Sequence, residues 1–394
     1  MEAQEKKNIP ILRFPDFLND REWEVKRLGE IITVNSGRDY KHLQSGDIPV
    51  YGTGGYMLSV NDKLSDIDAI GIGRKGTIDK PQYLKAPFWT VDTLFFLTTK
   101  EGYDLNFVFC LLQTVEWKKY SEQTGVPSLT RSTIEKIEVK IPPFSEQRRI
   151  AQALTALDEL IAATNEKLEQ MKAYKKGLMQ KLFVDSIGGG KLLKINYLQI
   201  SKLRFPEFYD EKEWEEKKLG ECFSERTERN YNDLPLLSLT ESDGIVLQEE
   251  TNRKNNSNAD KSKYLRVCVG DIAYNTMRMW QGRCAIVNIE GIVSPAYTIC
   301  KPKQEMDSLF FYYYFKTNDA IEKFHRNSQG LVNDTLNLKY ESFEKIKMFV
   351  PSLSEQHKIA SCLSAMDETI NAYTEKVGLL GQFKKGLMQQ MFVN

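Results

Sequence analysis

Mostly apolar side chains, interrupted by Thr164, Lys175 and Lys384, recur at alternating steps of four and three along two stretches of this chain, and the two stretches match each other. In the first the positions are Ile150, Leu154, Leu157, Ile161, Thr164, Leu168, Met171, Lys175, Leu178 and Leu182. In the second they are Ile359, Leu363, Met366, Ile370, Tyr373, Val377, Leu380, Lys384, Leu387 and Met391. A 3.5-residue period predicts a coiled-coil seam, which is narrower than the stripe of a helix lying on a globular core. Residues 142–183 align with 351–392 without a gap at an offset of 209, and 21 of the 42 positions are identical. Each stretch opens after proline on SEQ, so Ser145 and Ser354 read as N-caps, and Glu146 and Glu355 suit the positive end of the helix dipole. About 40 residues make a helix roughly 60 Å long. The economical arrangement is an intramolecular antiparallel pair across Ile150, Leu154, Leu157, Ile161, Leu168, Ile359, Leu363, Met366, Ile370 and Val377. The alternative is that each helix packs on its own domain. Gly177 and Gly386 fall inside the pattern, pointing to close helix approach or a shared kink. Gly378 and Gly381 predict that the second helix is the less regular.

A second repeat precedes each remaining segment. LRFPDF (12–17) with EWEVKRLGE (22–30) returns as LRFPEF (203–208) with EWEEKKLGE (213–221). The chain is therefore a tandem duplication with pseudo-twofold character. It divides into a globular domain at 1–141, a long helix at 142–185, a linker at 186–202, a second globular domain at 203–349 and a second long helix at 350–394. DSIGGGKLLK (185–194) marks the linker. Short apolar runs predict strands at 69–73, 93–98, 284–289 and 297–301. Aromatic-rich runs predict one helix at 106–120 and one at 308–325. Strands and helices without a βαβ rhythm give an α+β class.

Composition narrows the function classes. The 394 residues exceed one ordinary core. A content of 41% hydrophobic and 27% charged residues describes a soluble globular protein. The polar N-terminus shows no signal peptide, and no apolar run is long enough to span a bilayer. Six scattered cysteines without C-x-x-C pairs read as reduced, cytosolic thiols. Net charge is zero; residues 1–141 carry 19 basic and 20 acidic side chains, and residues 203–349 carry 21 and 24. Bulk charge thus makes no case for nucleic acid.

Candidate chemistry is sparse. GIGRKG (71–76) satisfies G-x-G-x-x-G, but TIDKPQYL follows where the dinucleotide fingerprint needs a helix, so a turn exposing Arg74 and Lys75 is the better reading. EVK (138–140) resembles the tail of a nuclease metal site, yet the repeat places Lys347, Met348 and Phe349 there. The histidines His42, His325 and His357 stand in unrelated contexts, and no catalytic or metal-binding set emerges. A reading surface is easier to argue. YNTMRMWQGRCAIV (274–287) sets Arg278, Trp280, Gln281 and Arg283 around Gly282, and arginine and glutamine pair with guanine and adenine edges or contact phosphates. GVPSLTRSTI (125–134) with Arg131, and GLVNDTLNLKYESF (330–343) with Asn333 and Lys339, occupy corresponding places before the long helices. Arg74, Lys75 and Thr77 complete the candidate DNA-contacting set.

Taken together, P-x-x-SEQ-x-x-IA…LD…I, the KKGLMQ-x-x-F endings, the duplicated LRFP-x-F…EW…LGE openings, YN-x-MR-x-WQG…GIVSPAY (274–297), GRKGTI (73–78) and FWTVDTLFF (88–96) resemble the specificity (S) subunits of type I restriction-modification systems. The resemblance covers nearly the whole chain. It implies two target recognition domains held apart by the paired helices, each reading one part of a split double-stranded DNA target. It also implies a prokaryotic cytoplasmic setting and docking of two modification (methyltransferase) subunits that use S-adenosylmethionine. Restriction subunits that use ATP and Mg for translocation and cleavage are the third expected component; no cofactor is expected in this chain and no membrane partner. The competing readings are a single-chain metal-dependent endonuclease built on GIGRKG or EVK, and a coiled-coil scaffold that binds no DNA.

Overall fold

The computed structural model describes residues 8–122, 125–183, 203–240, 244–251 and 260–393. The linker expected at 186–202 lies outside these residues. The chain divides into two compact units, Met1–Glu166 with Tyr373–Asn394, and Lys167–Ala372.

In the first unit the chain runs through β1 (Glu24–Arg27), α1 (Leu28–Ile31), β2 (Ile32–Ser36), β3 (Ser45–Gly52), β4 (Gly55–Val60), β5 (Ala69–Gly73), β6 (Gln82–Leu84), β7 (Trp89–Thr90) and β8 (Leu94–Thr99). Then follow α2 (Leu105–Thr114), α3 (Arg131–Lys136), β9 (Glu138–Ile141) and α4 (Phe144–Phe183), whose C-terminal part belongs to the second unit. The central antiparallel sheet has the order β2-β8-β5-β6, and β4-β3-β7 forms a second sheet. Strands β1 and β9 close the domain as a ribbon with Glu24 opposite Ile141.

The second unit repeats this plan with β10 (Glu215–Lys218), α5 (Leu219–Cys222), β11 (Phe223–Glu225), β12 (Leu237–Leu239), β13 (Ile245–Leu247), β14 (Leu265–Val267), β15 (Ile272–Asn275), β16 (Cys284–Ile286), β17 (Gly291–Val293) and β18 (Tyr297–Pro302). It continues with α6 (Ser308–Tyr314), α7 (Asn318–Asn327), α8 (Tyr340–Phe343), β19 (Lys347–Val350) and α9 (Leu353–Met391), whose last part returns to the first unit. Its sheet order, β11-β18-β15-β16, matches that of the first domain, and the β10–β19 ribbon sets Glu215 opposite Val350.

Both aromatic-rich segments are broken, where single helices were expected. Residue 115 turns extended after α2, and Trp117–Tyr120 form a separate 3-10 turn. In the second domain Thr317 stops α6 and starts α7, its hydroxyl accepting from the Ala320 N–H. A threonine oxygen that satisfies an orphan helix donor outweighs the continuous apolar run around it.

The long helices pack together and run antiparallel. In the first unit the start of α4, with Ile150 and Leu154, shares a core with Met391 and Phe392 at the end of α9. In the second unit Leu182 and Phe183, at the end of α4, share a core with Ile359 and Leu363 at the start of α9. Reciprocal ion pairs accompany this arrangement, Lys384 to Asp158 at 2.6 Å and Lys175 to Asp367 at 2.5 Å. Along the seam Leu168 is buried, whereas Leu157, Ile161, Met366, Ile370 and Val377 are half-buried. Helix pairing and packing on a globular domain are thus not alternatives: the middle of each helix does the first and the ends do both. Phe392 meets Trp23 and Phe107 edge-on or tilted, and Phe183 stacks on Tyr314 at 5.0 Å. The phenylalanine that ends each KKGLMQ-x-x-F motif is therefore an aromatic plug in a domain core.

Two expectations about these helices change. An added Cβ at Gly177, Gly378, Gly381 or Gly386 meets nothing within 4 Å, so these glycines serve no close approach, and α9 is continuous from Leu353 to Met391. The serines of SEQ are not the caps, because α4 and α9 begin one residue earlier. The Pro143 carbonyl accepts from the Glu146 and Gln147 N–H groups, and the Ser352 hydroxyl accepts from the Glu355 N–H at 3.4 Å.

The Glu and Gln of SEQ instead join helix to domain. Glu146 is fully buried and takes two hydrogen bonds of 2.8 Å from Arg13, the arginine of LRFP. Arg204 makes the same fork on Glu355, at 2.9 and 2.7 Å. These carboxylates hold both guanidinium pKa values above their ordinary range, against the opposing pull of burial. The Gln147 amide oxygen accepts from the Asp104 N–H and the Gln356 oxygen from the Asp307 N–H; these aspartates are the N-caps of α2 and α6.

Candidate nucleic-acid interface

Strand β5 delivers Arg74, Lys75 and Thr77 on a tight turn. At Gly73 a Cβ would lie 2.1 Å from the Thr77 carbonyl oxygen, and Gly76 has φ +85°. Both positions therefore require glycine. The Arg74 N–H donates to the Thr93 carbonyl at 2.8 Å, and its own carbonyl accepts from the Leu129 N–H at 3.0 Å. Gly76 N–H reaches the Pro127 carbonyl at 2.9 Å. Two stretches far apart in sequence, GRKGT and PSLTR, are thereby stitched side by side. No helix follows the turn; the chain goes on to β6, which removes the dinucleotide reading of GIGRKG.

Arg74 and Lys75 are exposed, and the Arg74 guanidinium lies 5.8 Å from the centre of the Phe95 ring. Arg131, at the start of α3, is exposed and paired with Glu135 at 2.8 Å. Nearby, Glu122 accepts from the Thr130 hydroxyl at 2.8 Å and from the Thr133 hydroxyl. Those hydroxyls hold the Glu122 pKa below the usual carboxylate range.

The second domain builds its turn on the same two bonds. The Thr276 N–H donates to the Ala296 carbonyl at 3.1 Å, and the Thr276 carbonyl accepts from the Leu338 N–H at 2.9 Å. Thr276 thus takes the place of Arg74, and Leu338 that of Leu129. The turn is longer here. Met279–Gln281 form a single 3-10 turn ended by Gly282 at φ +72°. Gln281 and Arg283 are exposed and Arg278 is half-buried, its Nη1 4.0 Å from Asp334 Oδ1. Trp280 is held in place, its indole N–H donating to the Met277 carbonyl at 3.0 Å and its ring edge-on to His325. Asn333 begins a 3-10 turn, Asn333–Thr335, and Lys339 is the exposed residue before α8. Within each domain the candidate residues therefore gather at one turn and the segment stitched to it.

Sequence reasoning missed a neighbour of the first turn. A cleft of about 630 Å³ is lined by Tyr40, Lys41, Tyr56, Met57 and Thr93, the residue that accepts from Arg74, and Tyr56 is 62% exposed. The glycines of GTGG (52–55), which make the β3–β4 hairpin, are the signal that could have located it. EVK lies on β9, with Glu138 opposite Arg27, and no group of metal-ligating side chains occurs among the described residues. No helix of the described residues is long and apolar enough to cross a membrane.

The family model for the type I restriction modification DNA specificity domain matches residues 20–173 and 211–378, once in each half of the duplication. The chain belongs to this family. It is a DNA specificity subunit of a type I restriction-modification system, and such subunits are non-catalytic. Among curated relatives, the type I restriction enzyme MjaVIII specificity subunit of Methanocaldococcus jannaschii is 25% identical over 290 residues, 69% of this chain and 65% of that protein. The putative type I restriction enzyme MjaX specificity subunit of the same organism is 25% identical over 402 residues, covering 98% of this chain and 86% of its own length. The crystal structure of a type I restriction-modification S subunit from M. genitalium shares the fold, with TM-score 0.65 and 16% identity over 98% of this chain and 99% of that one. The specificity subunit described here thus carries the shared fold.

Proposed function

We propose that each globular domain of this specificity subunit reads one half of a bipartite duplex target through its stitched turn, while the helix pair sets the gap between the halves. The observation that carries this reading is the pairing of Arg74 with Leu129 and of Thr276 with Leu338 by the same backbone bonds. One scaffold presents two different sets of side chains, as two different half-sites require. In the second domain Arg278, Gln281 and Arg283 supply donors suited to purine edges and phosphates, with Trp280 bracing the turn. In the first, Arg74, Lys75, Thr77 and Arg131 are the corresponding groups, with Asn333 and Lys339 flanking the second turn. Domain boundaries follow the duplication, with readers at 1–141 and 203–349 and helices at 142–185 and 350–394.

Two modification subunits dock on this subunit and bring S-adenosylmethionine and the methylating site. Restriction subunits bring ATP- and Mg-dependent translocation and cleavage. The test is methylation of a randomised duplex library by the assembled complex, with wild-type chain and with Arg278→Ala/Gln281→Ala. The variant is expected to relax base preference about tenfold or more at one half-site, in line with about 1–3 kcal/mol per bidentate contact, and to leave the other half-site intact. Equal loss at both half-sites would show that these side chains do not read bases.

A further inference from the structure

A second basic feature stands apart from the reading turns. In the second unit the C-terminal part of α4 and the corner between α6 and α7 enclose a cleft of about 570 Å³, lined by Lys172, Lys175, Lys176, Lys181, Lys316 and Asn318 among others. Two of these lysines have carboxylate partners, Lys172 with Glu169 at 2.8 Å and Lys175 with Asp367. Lys176, Lys181 and Lys316 are exposed and join no ion pair among the described residues, which leaves three uncompensated positive charges. The Lys316 ammonium lies 3.8 Å from the centre of the Tyr312 ring and 2.5 Å from its hydroxyl, which aims it. Like charges gathered without counter-ions repel one another, and an anionic ligand relieves that repulsion.

The position of the cleft indicates which anion. A Cβ added at Gly282 would lie 3.1 Å from the Phe315 carbonyl oxygen, so the turn bearing Gln281 rests on the residue before Lys316. Phe315 thus packs under the turn assigned to base reading, and the next residue, Lys316, lines the cleft. Its cations are lysines, which are point charges suited to phosphate and lack the planar fork that reads bases. The other half of the duplication repeats Lys175 and Lys176, as Lys384 and Lys385, but not the remaining lysines. At the repeat offset Gly381 and Gln390 stand where α4 has Lys172 and Lys181, and Gln113 stands where Lys316 would fall when α2 and α6 are aligned on Asp104 and Asp307.

We propose that this lysine cleft is a sequence-independent grip on the phosphate backbone of the duplex beside the half-site read by the second domain. The inference rests on the DNA-reading role given above and adds a contact that stabilises the complex without choosing bases. The test uses the complex with modification subunits and two labelled duplexes, one carrying the methylated target and one with both half-sites scrambled. Wild-type chain is compared with Lys176→Gln/Lys181→Gln/Lys316→Gln and with the corresponding triple arginine variant.

Three lost phosphate contacts lower the slope of log affinity against log salt by about 2.7, at about 0.9 per contact. The glutamine variant is expected to show that drop equally on both duplexes, with base preference and subunit assembly unchanged, and the arginine variant to keep the wild-type slope. An unchanged slope in the glutamine variant, a loss confined to the target duplex, or loss of the modification subunits would each overturn the grip. The last result would make the cleft a protein-docking surface. Failure of the wild-type complex to prefer its target over the scrambled duplex is a different result, and it would remove the DNA-reading role and the grip with it.

Discussion

At the scale of single residues, the side chains that recur in both halves join each helix to its domain. Glu355 is 1% exposed and Arg204 satisfies both its oxygens, and Glu146 with Arg13 repeats the arrangement. Breaking such a pair leaves an uncompensated buried charge. Glu355→Ala is therefore expected to destabilise the protein by about 3–5 kcal/mol, measured by urea unfolding. Arg204→Met/Glu355→Leu should recover most of that loss, because well-packed apolar groups of similar volume replace a buried pair at little cost. A single substitution costing less than about 1 kcal/mol would mean that the pair is solvated. The adjacent aromatic rings, with Arg149 5.2 Å from the Phe14 ring centre and Lys358 5.5 Å from that of Phe205, extend the same junction. None of these partnerships is legible in sequence. LRFP and SEQ are recognisable as repeats, but a contact between residues 133 positions apart leaves no local pattern.

Among elements, legibility follows the range of the interaction. The seam from Ile150 to Leu182 is readable because burial on one helix face is a periodic, local property. The end of α6 is not, because the unbroken aromatic and apolar run LFFYYYF hides a single cap at Thr317. Composition points to the candidate turns, but the backbone bonds that bring Arg74 beside Leu129 depend on sheet order and become visible only in three dimensions. The helix glycines mislead, because a repeated glycine suggests a packing need that the structure does not contain. Since nothing lies within 4 Å of an added Cβ at Gly177 or Gly386, replacing both with alanine should stabilise the protein by about 1 kcal/mol each. The midpoint of thermal unfolding checks this, and a fall in that midpoint would show that the glycines serve a bend.

On the scale of the whole molecule, the proposed function has the duplication distribute one task over two readers. The helix pair, the aromatic plugs Phe183 and Phe392, and the Arg13–Glu146 and Arg204–Glu355 forks are shared by the two halves. The turn side chains are not, and of the cleft lysines only Lys175 and Lys176 recur, as Lys384 and Lys385. The split fits the proposed division between spacing, which both halves would define together, and base choice, which each half would make alone. If the helices set the gap, adding seven residues in the middle of both α4 and α9 lengthens them by about 10.5 Å, or about three base pairs at about 3.4 Å each. The methylated target should then keep its two half-sites and widen its gap accordingly; new half-site bases at an unchanged gap would contradict that role. The most direct test of the central claim is methylome sequencing of a host carrying this chain with its modification subunit. The account predicts one asymmetric motif of two specified half-sites separated by an unspecified gap of constant length, and a contiguous motif, or two identical half-sites, would contradict it.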